Sequence, residues 1–130
     1  NYIFNLLNQL TSAPIIKEEE YNKIINNLSL HNKYIFLYTD NNDVPIGTIS
    51  LLIESKLIRG GKCVGHIEDL VVDSENTGRG IAKELIEYCI NKAKDLNCYK
   101  IILDCKENLE NFYIKNNFFT FYIIVFFFDY

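Results

Sequence analysis

The amino-acid sequence predicts an α/β (α+β) fold, a mixed central sheet flanked by helices. Three observations lead there. Two strand-like apolar stretches flank Asp40-Asn41-Asn42-Asp43, which is turn chemistry, so they read as a hairpin. A third strand then runs through a polar, glycine-bearing loop into an amphipathic helix. Beyond that helix the pattern continues strand, helix, strand, and such alternation puts helices on the faces of a sheet.

Residues 3–10 are a short apolar helical segment closed by Thr11-Ser12-Ala13-Pro14. Residues 17–30 read as a second helix; Glu18-Glu19-Glu20 suits the positive end of the helix dipole, and Tyr21, Ile24, Ile25 and Leu28 form one apolar face. Strands follow at 34–38 and 46–53. The loop 54–62 carries Lys56, Arg59, Gly60, Gly61 and Lys62, and a third strand, 64–73, ends in Leu70-Val71-Val72. Residues 74–80 are too rich in glycine and polar groups for a regular element. From Gly80 onward Ile81, Leu85, Ile86, Cys89, Ile90 and Ala93 recur at helical spacing, with Asn97 as the stop. Residues 99–103 form a strand, 107–115 a short helix and 118–128 a last strand, giving the order α-α-β-β-β-α-β-α-β.

No repeat or linker interrupts the chain, and 130 residues fit one domain, 1–130. Hydrophobic residues make up 48% and charged residues 23%, which supports a packed core and argues against disorder. A net charge of -4 argues against nucleic acid as a partner, since its binders carry a basic stripe. Cys63, Cys89, Cys98 and Cys105 form no Cys-x-x-Cys pair, and His31 and His66 stand at none of the spacings zinc needs, so no metal site is expected. Reduced thiols and a cytoplasmic location are the expectation. No apolar run approaches the roughly 18 residues of a membrane span. The opening Asn1-Tyr2-Ile3-Phe4 has neither methionine nor the basic head of a signal peptide and reads as a trimmed start.

The segment Thr77-Gly78-Arg79-Gly80-Ile81-Ala82 joins a strand to the start of a helix. Glycine lets the backbone turn tightly and approach a ligand, and the first turn of a helix offers unpaired N–H groups with about half a positive charge. Together these suit a pyrophosphate, with Arg79 and Lys83 adding charge at the rim. The bland alternative is a connection that needs glycine only for its geometry. The loop lacks both the Gly-x-Gly-x-x-Gly of dinucleotide folds and a Gly-Lys-Ser/Thr ending. It resembles the R/Q-x-x-G-x-G/A coenzyme A loop of the GNAT acetyltransferase superfamily: Gly80 and Ala82 match, while Thr77 stands where Arg or Gln is preferred. The resemblance implies the GNAT acyl-CoA N-acyltransferase fold and acetyl-CoA as cosubstrate. Its implied coenzyme contacts are Leu70, Val71, Val72, Gly78, Arg79, Gly80, Ile81, Ala82, Lys83, Asp104 and Tyr113.

Three further stretches are similar to one branch, the eukaryotic glucosamine 6-phosphate N-acetyltransferases. They are Glu54-Ser55-Lys56-Leu57-Ile58-Arg59, then Gly65-His66-Ile67-Glu68-Asp69-Leu70-Val71-Val72-Asp73, then Cys98-Tyr99-Lys100-Ile101-Ile102-Leu103-Asp104-Cys105 followed by Phe112-Tyr113. The implied reaction is attack of a sugar amine on a thioester, a step in making the nucleotide sugar UDP-N-acetylglucosamine. The ammonium must first lose a proton, and a positioned base contributes typically about 10²- to 10⁴-fold. The resemblance puts that base at Asp104 and the proton donor to the departing thiolate at Tyr113. A backbone N–H near Leu70 can stabilise the developing oxyanion. Glu68 and Asp69, adjacent on a strand and so expected on opposite faces, are implied to hold the sugar, Glu68 through hydroxyls and Asp69 near the amine. Lys56, Arg59 and Lys100 supply charge for a 6-phosphate, beside Tyr99, and Thr11 matches a sugar-site threonine. His66 reads as a strand residue rather than a base.

The pattern breaks in places. Phe128 falls where the branch ends in a basic residue; Asn116-Asn117-Phe118 lacks its glycine; Leu109 replaces an asparagine, with Asn108 one position earlier. The apolar C-terminal strand would be an aggregation hazard as a bare edge, so a homodimer with C-terminal strands at the interface is expected. Two other readings stay open: acetyl transfer to a different amine, and a degenerate acyl-CoA-binding module.

Overall fold

The computed structural model describes residues 2–119. Within them lie α1 (Tyr2–Leu7), α2 (Glu18–Asn26), β1 (Lys33–Thr39), β2 (Pro45–Ser55), β3 (Cys63–Val72), α3 (Ile81–Asp95), β4 (Cys98–Leu103) and α4 (Glu110–Lys115). The four strands form one sheet in the order β1-β2-β3-β4. β1 with β2 and β2 with β3 are antiparallel, whereas β3 with β4 is parallel, so the sheet is mixed as the sequence predicts. The strand expected over 118–128 lies outside the described residues from 120 on.

Both N-terminal helices are shorter than their periodicity suggests. α1 stops at Leu7 because Asn8 turns its side chain back on the backbone: its amide donates to Phe4 O at 2.9 Å and to Ala13 O at 2.8 Å, and its oxygen accepts from the Ala13 amide at 2.9 Å. α2 ends at Asn26, a 3-10 turn covers Ser29–His31, and Asn32 takes the left-handed conformation, φ 52°, that leads into β1. No residue of α2 is buried.

The core lies between α3 and the sheet. Ile49, Leu51 and Ile53 of β2 and Ile67 of β3 meet Ile81, Leu85, Ile86, Cys89 and Ala93 of α3. Ile49 and Ile86 have no exposed surface, and each contributes about 1.5–3 kcal/mol by burial. The buried Thr48 hydroxyl donates to Phe36 O at 2.9 Å, so its polarity is satisfied within the sheet.

Two register shifts involve β3, one in its ladder with β2 and one in its ladder with β4. Across β2 and β3, Thr48 opposes Val71 while Ser50 opposes Glu68, so β3 carries one extra residue, and Asp69 sits there at φ 54°. The alternation expected to put Glu68 and Asp69 on opposite faces therefore does not run through this stretch, and both are exposed. Val71 opposes Thr48, whereas Leu70 and Val72 pack against the α3 core. Across β3 and β4 the partners run from Cys63 with Cys98 to Ile67 with Leu103, skipping Tyr99. Residues 68–72 of β3 thus extend past their last β4 partner among the described residues.

Candidate active site

The β3–β4 ladder ends at Ile67 and Leu103, and the chain leaves the end of β3 through a loop into the start of α3. After β3, the Asp73 amide donates to Ile46 O at 2.8 Å, which seats the loop against the start of β2. A 3-10 turn, Ser74–Asn76, follows. Gly78 and Gly80 both take φ 78°, the left-handed region that costs a residue with Cβ about 1–2 kcal/mol. Nothing lies within 4 Å of a Cβ built at either, so the space in front of this backbone is open. Gly80 precedes α3 without any side-chain cap. The first helical hydrogen bond runs from the Glu84 amide to Gly80 O at 3.0 Å, which leaves the first-turn amides of Ile81, Ala82 and Lys83 free of helical acceptors. A pyrophosphate fits such a cradle.

A side-chain chain holds the loop. Gln9 donates to Asp73 Oδ1 at 2.7 Å and accepts from the Ser74 amide at 2.8 Å. Asn76 donates to Asp73 Oδ2 at 2.7 Å, and Arg79 donates to Asn76 Oδ1 at 2.7 Å. Gln9 first, then Asn76, hold the Asp73 carboxyl below its ordinary range. The coenzyme-loop motif singles out Arg79 and carries no signal for Gln9, Asp73 or Asn76. Gln9 and Asp73 are far apart in sequence, and no local pattern joins them. Lys83 is exposed and lies 4.0 Å from Glu87, a loose i,i+4 pair.

On the other side, Asp104 is exposed in the loop just past β4. Cys105 follows it, and burial, then the carboxylates of Glu110 and Asp104, push its thiol up. Tyr113 of α4 is only 9% exposed and packs edge-on against Phe112 and Phe118, at 5.1 and 5.9 Å between ring centres. Burial raises the Tyr113 phenol, with Cys105 a smaller cause, so the hydroxyl keeps its proton at neutral pH.

The basic residues split into two groups. The Arg59 guanidinium lies 5.5 Å from the Tyr99 ring centre and Lys100 Nζ 5.7 Å from it, an aromatic platform carrying two cations. Lys56 turns away to Glu54, 3.1 Å, whose same oxygen meets His66 Nε2 at 3.0 Å. His66 and then Lys56 hold the Glu54 carboxyl below its ordinary value. Four residues of strand, about 13 Å, separate Lys100 from Asp104. Thr11 is exposed beyond α1, and among the described residues no side-chain hydrogen bond or ion pair joins it to Glu68, Asp69 or the basic groups. A surface depression of about 510 Å³ runs along α2, lined by Lys17, Glu20, Lys23 and His31 among others, and contains none of these groups. Among the described residues no cluster of three or more His, Cys, Asp or Glu could hold a metal ion.

A family model described as the acetyltransferase (GNAT) family matches residues 1–118. The probable glucosamine 6-phosphate N-acetyltransferase 2 of Oryza sativa subsp. japonica is 35% identical over 118 residues, covering 87% of this chain and 71% of the relative. The glucosamine 6-phosphate N-acetyltransferase of Arabidopsis thaliana is 34% identical over 113 residues, covering 85% and 76%. Among solved structures, an acetyltransferase of Trypanosoma brucei superposes with a TM-score of 0.91 at 32% identity, over 97% of this chain and 89% of that one. The Arabidopsis glucosamine-6-phosphate N-acetyltransferase structure gives 0.88 at 31%, over 97% and 88%. An uncapped helix start behind two left-handed glycines and a match over 118 residues agree: this chain belongs to the GNAT family of acetyltransferases.

Proposed function

We propose that the protein transfers the acetyl group of acetyl-CoA to the 2-amino group of D-glucosamine 6-phosphate, by direct attack in a ternary complex. The observation that carries this reading is the uncapped start of α3 behind the loop that leaves β3, with the β3–β4 ladder ending at Ile67 and Leu103, just before Leu70 on one strand and Asp104 beyond the other. The amides of 81–83 take the diphosphate of coenzyme A, and the thioester lies along 70–72. Asp104 accepts a proton from the sugar ammonium. The amine nitrogen then attacks the carbonyl carbon, a C–N bond forms, and the oxygen gains charge against the Leu70 N–H. The C–S bond breaks, and the Tyr113 hydroxyl donates to the departing sulfur. Glu68 and Asp69 hold the sugar ring, with Thr11 at its edge, and Arg59, Tyr99 and Lys100 face its phosphate.

The thiols support direct attack over an acyl-enzyme. Cys89 is fully buried and its thiol is pushed up to about 12, and burial raises the Cys105 thiol as well, which disfavours the thiolate at both. The similarity to plant glucosamine 6-phosphate N-acetyltransferases supports the choice of acceptor. We also propose that the working protein is a cytoplasmic homodimer.

The test is a thiol-release assay with acetyl-CoA and glucosamine 6-phosphate, repeated on Asp104→Asn. A drop in kcat of about 10²-fold or more is expected. Turnover that shows no preference for the phosphorylated sugar over other amines removes this acceptor, and an unaffected Asp104→Asn enzyme removes the base.

A further inference from the structure

Cys63 opens β3 and Cys98 opens β4, and the two are direct partners across the parallel ladder. Neighbouring strands lie about 4.8 Å apart, inside the Cα window of roughly 4.4–6.8 Å that a disulfide needs. Both side chains pack against the α3 core, so both thiols lie on the same side of the sheet. Both are half-buried, open enough for a small reagent. The Cys63 amide donates to Asn97 O at 3.0 Å, which ties the two strand starts together beside the pair. The other two cysteines are placed differently: Cys89 has no exposed surface, and Cys105 lies in the loop at the far end of β4.

We infer that Cys63 and Cys98 are a closable dithiol, a modification site that takes up a low-molecular-weight disulfide and is left as an intramolecular bridge. One thiolate attacks a sulfur of the small disulfide, forms a mixed disulfide and releases one small thiol. The second protein thiolate then attacks the protein sulfur of that mixed disulfide and releases the other small thiol. Two protein thiols are oxidised, one small disulfide is reduced to two small thiols, and the two protein protons leave with them. The bridge closes a ring around 64–97, which holds α3 and the Gly78–Gly80 turn, and it pins β4 immediately before Tyr99, the residue skipped in its register. Burial, and the neighbouring Cys63, raise the Cys98 thiol, so closure is slow at neutral pH and quickens in mild base. The inference is independent of the sugar substrate.

The test treats the full chain with excess oxidised glutathione and reads intact mass, thiol count and non-reducing peptide maps. The expected result is a linked peptide joining Cys63 to Cys98 with no glutathione on either, buried Cys89 unmodified and any adduct confined to exposed Cys105, all reversed by dithiothreitol. Cys105→Ser leaves this unchanged, whereas Cys63→Ser leaves a glutathione adduct on Cys98. The linked form melts about 5 °C or more above the reduced form, because a bridge across about 35 residues constrains the unfolded chain. Stable glutathione adducts on wild-type Cys63 or Cys98 without closure overturn the inference. So does a linked form that melts below the reduced one, since the native register would then not accommodate the bond.

Discussion

Gln9, two residues past the end of α1, holds Asp73 and Ser74 at the end of β3 through both ends of its side-chain amide, at 2.7 and 2.8 Å. The grip passes through Asp73 to Asn76 and from Asn76 to Arg79. Gln9→Ala therefore frees the loop whose shape sets the coenzyme cradle. It should raise KM for acetyl-CoA several-fold with a smaller effect on kcat, measured by steady-state kinetics. The Asp73 carboxyl is held below its ordinary value, so the stability it contributes is present above about pH 4 and is lost as the pH falls through its folded value. Gln9→Ala should move acid unfolding to higher pH.

Gly80 stands at φ 78° with open space around it. Gly80→Ala should cost about 1–2 kcal/mol in stability through backbone strain alone, without a steric clash. Chemical denaturation measures that loss. Binding of coenzyme A by calorimetry should weaken further, because the strain is relieved by turning the backbone away from the cradle.

Arg59 and Lys56 are close in sequence, yet Arg59 lies against Tyr99 while Lys56 is held by Glu54. Arg59→Ala should raise KM for the phosphorylated sugar strongly, and Lys56→Ala only slightly. Neither should change the use of unphosphorylated glucosamine. Equal effects of the two substitutions would show that the basic loop acts as a diffuse field rather than through one side chain.

Tyr113→Phe removes a buried phenol's hydroxyl and leaves its packing on Phe112 and Phe118 in place. The kcat should drop by about 10-fold or more, with the melting temperature little changed. The folded phenol is raised above its unfolded value of 10.0, so its stabilising contribution is complete below pH 10 and is lost as the pH climbs through the folded value. In wild type the stability should fall above pH 10, and Tyr113→Phe should reduce that fall.

The loop Thr77–Ala82 was legible because its residues are contiguous: glycine, glycine and the first apolar positions of α3 all lie within a few residues. The parting of β3 from β4 was not. It depends on an extra residue at Asp69 and a ladder that stops at Leu103, and both are set by partners on other strands. α2 shows the opposite limit: its apolar stripe reads as a core face, yet none of it is buried in this chain.

What the sequence by itself determined is the kind and order of elements, because helix and strand periods and turn residues act between neighbours along the chain. Tertiary structure alone decided the register across the sheet, the tie from Gln9 to Asp73, the diversion of Lys56 to Glu54 and the pairing of Cys63 with Cys98. Each joins residues whose meeting depends on how whole strands slide past one another. That sliding is settled by burying Ile49, Leu51 and Ile67 under α3, a sum over the core that no single stretch of chain contains.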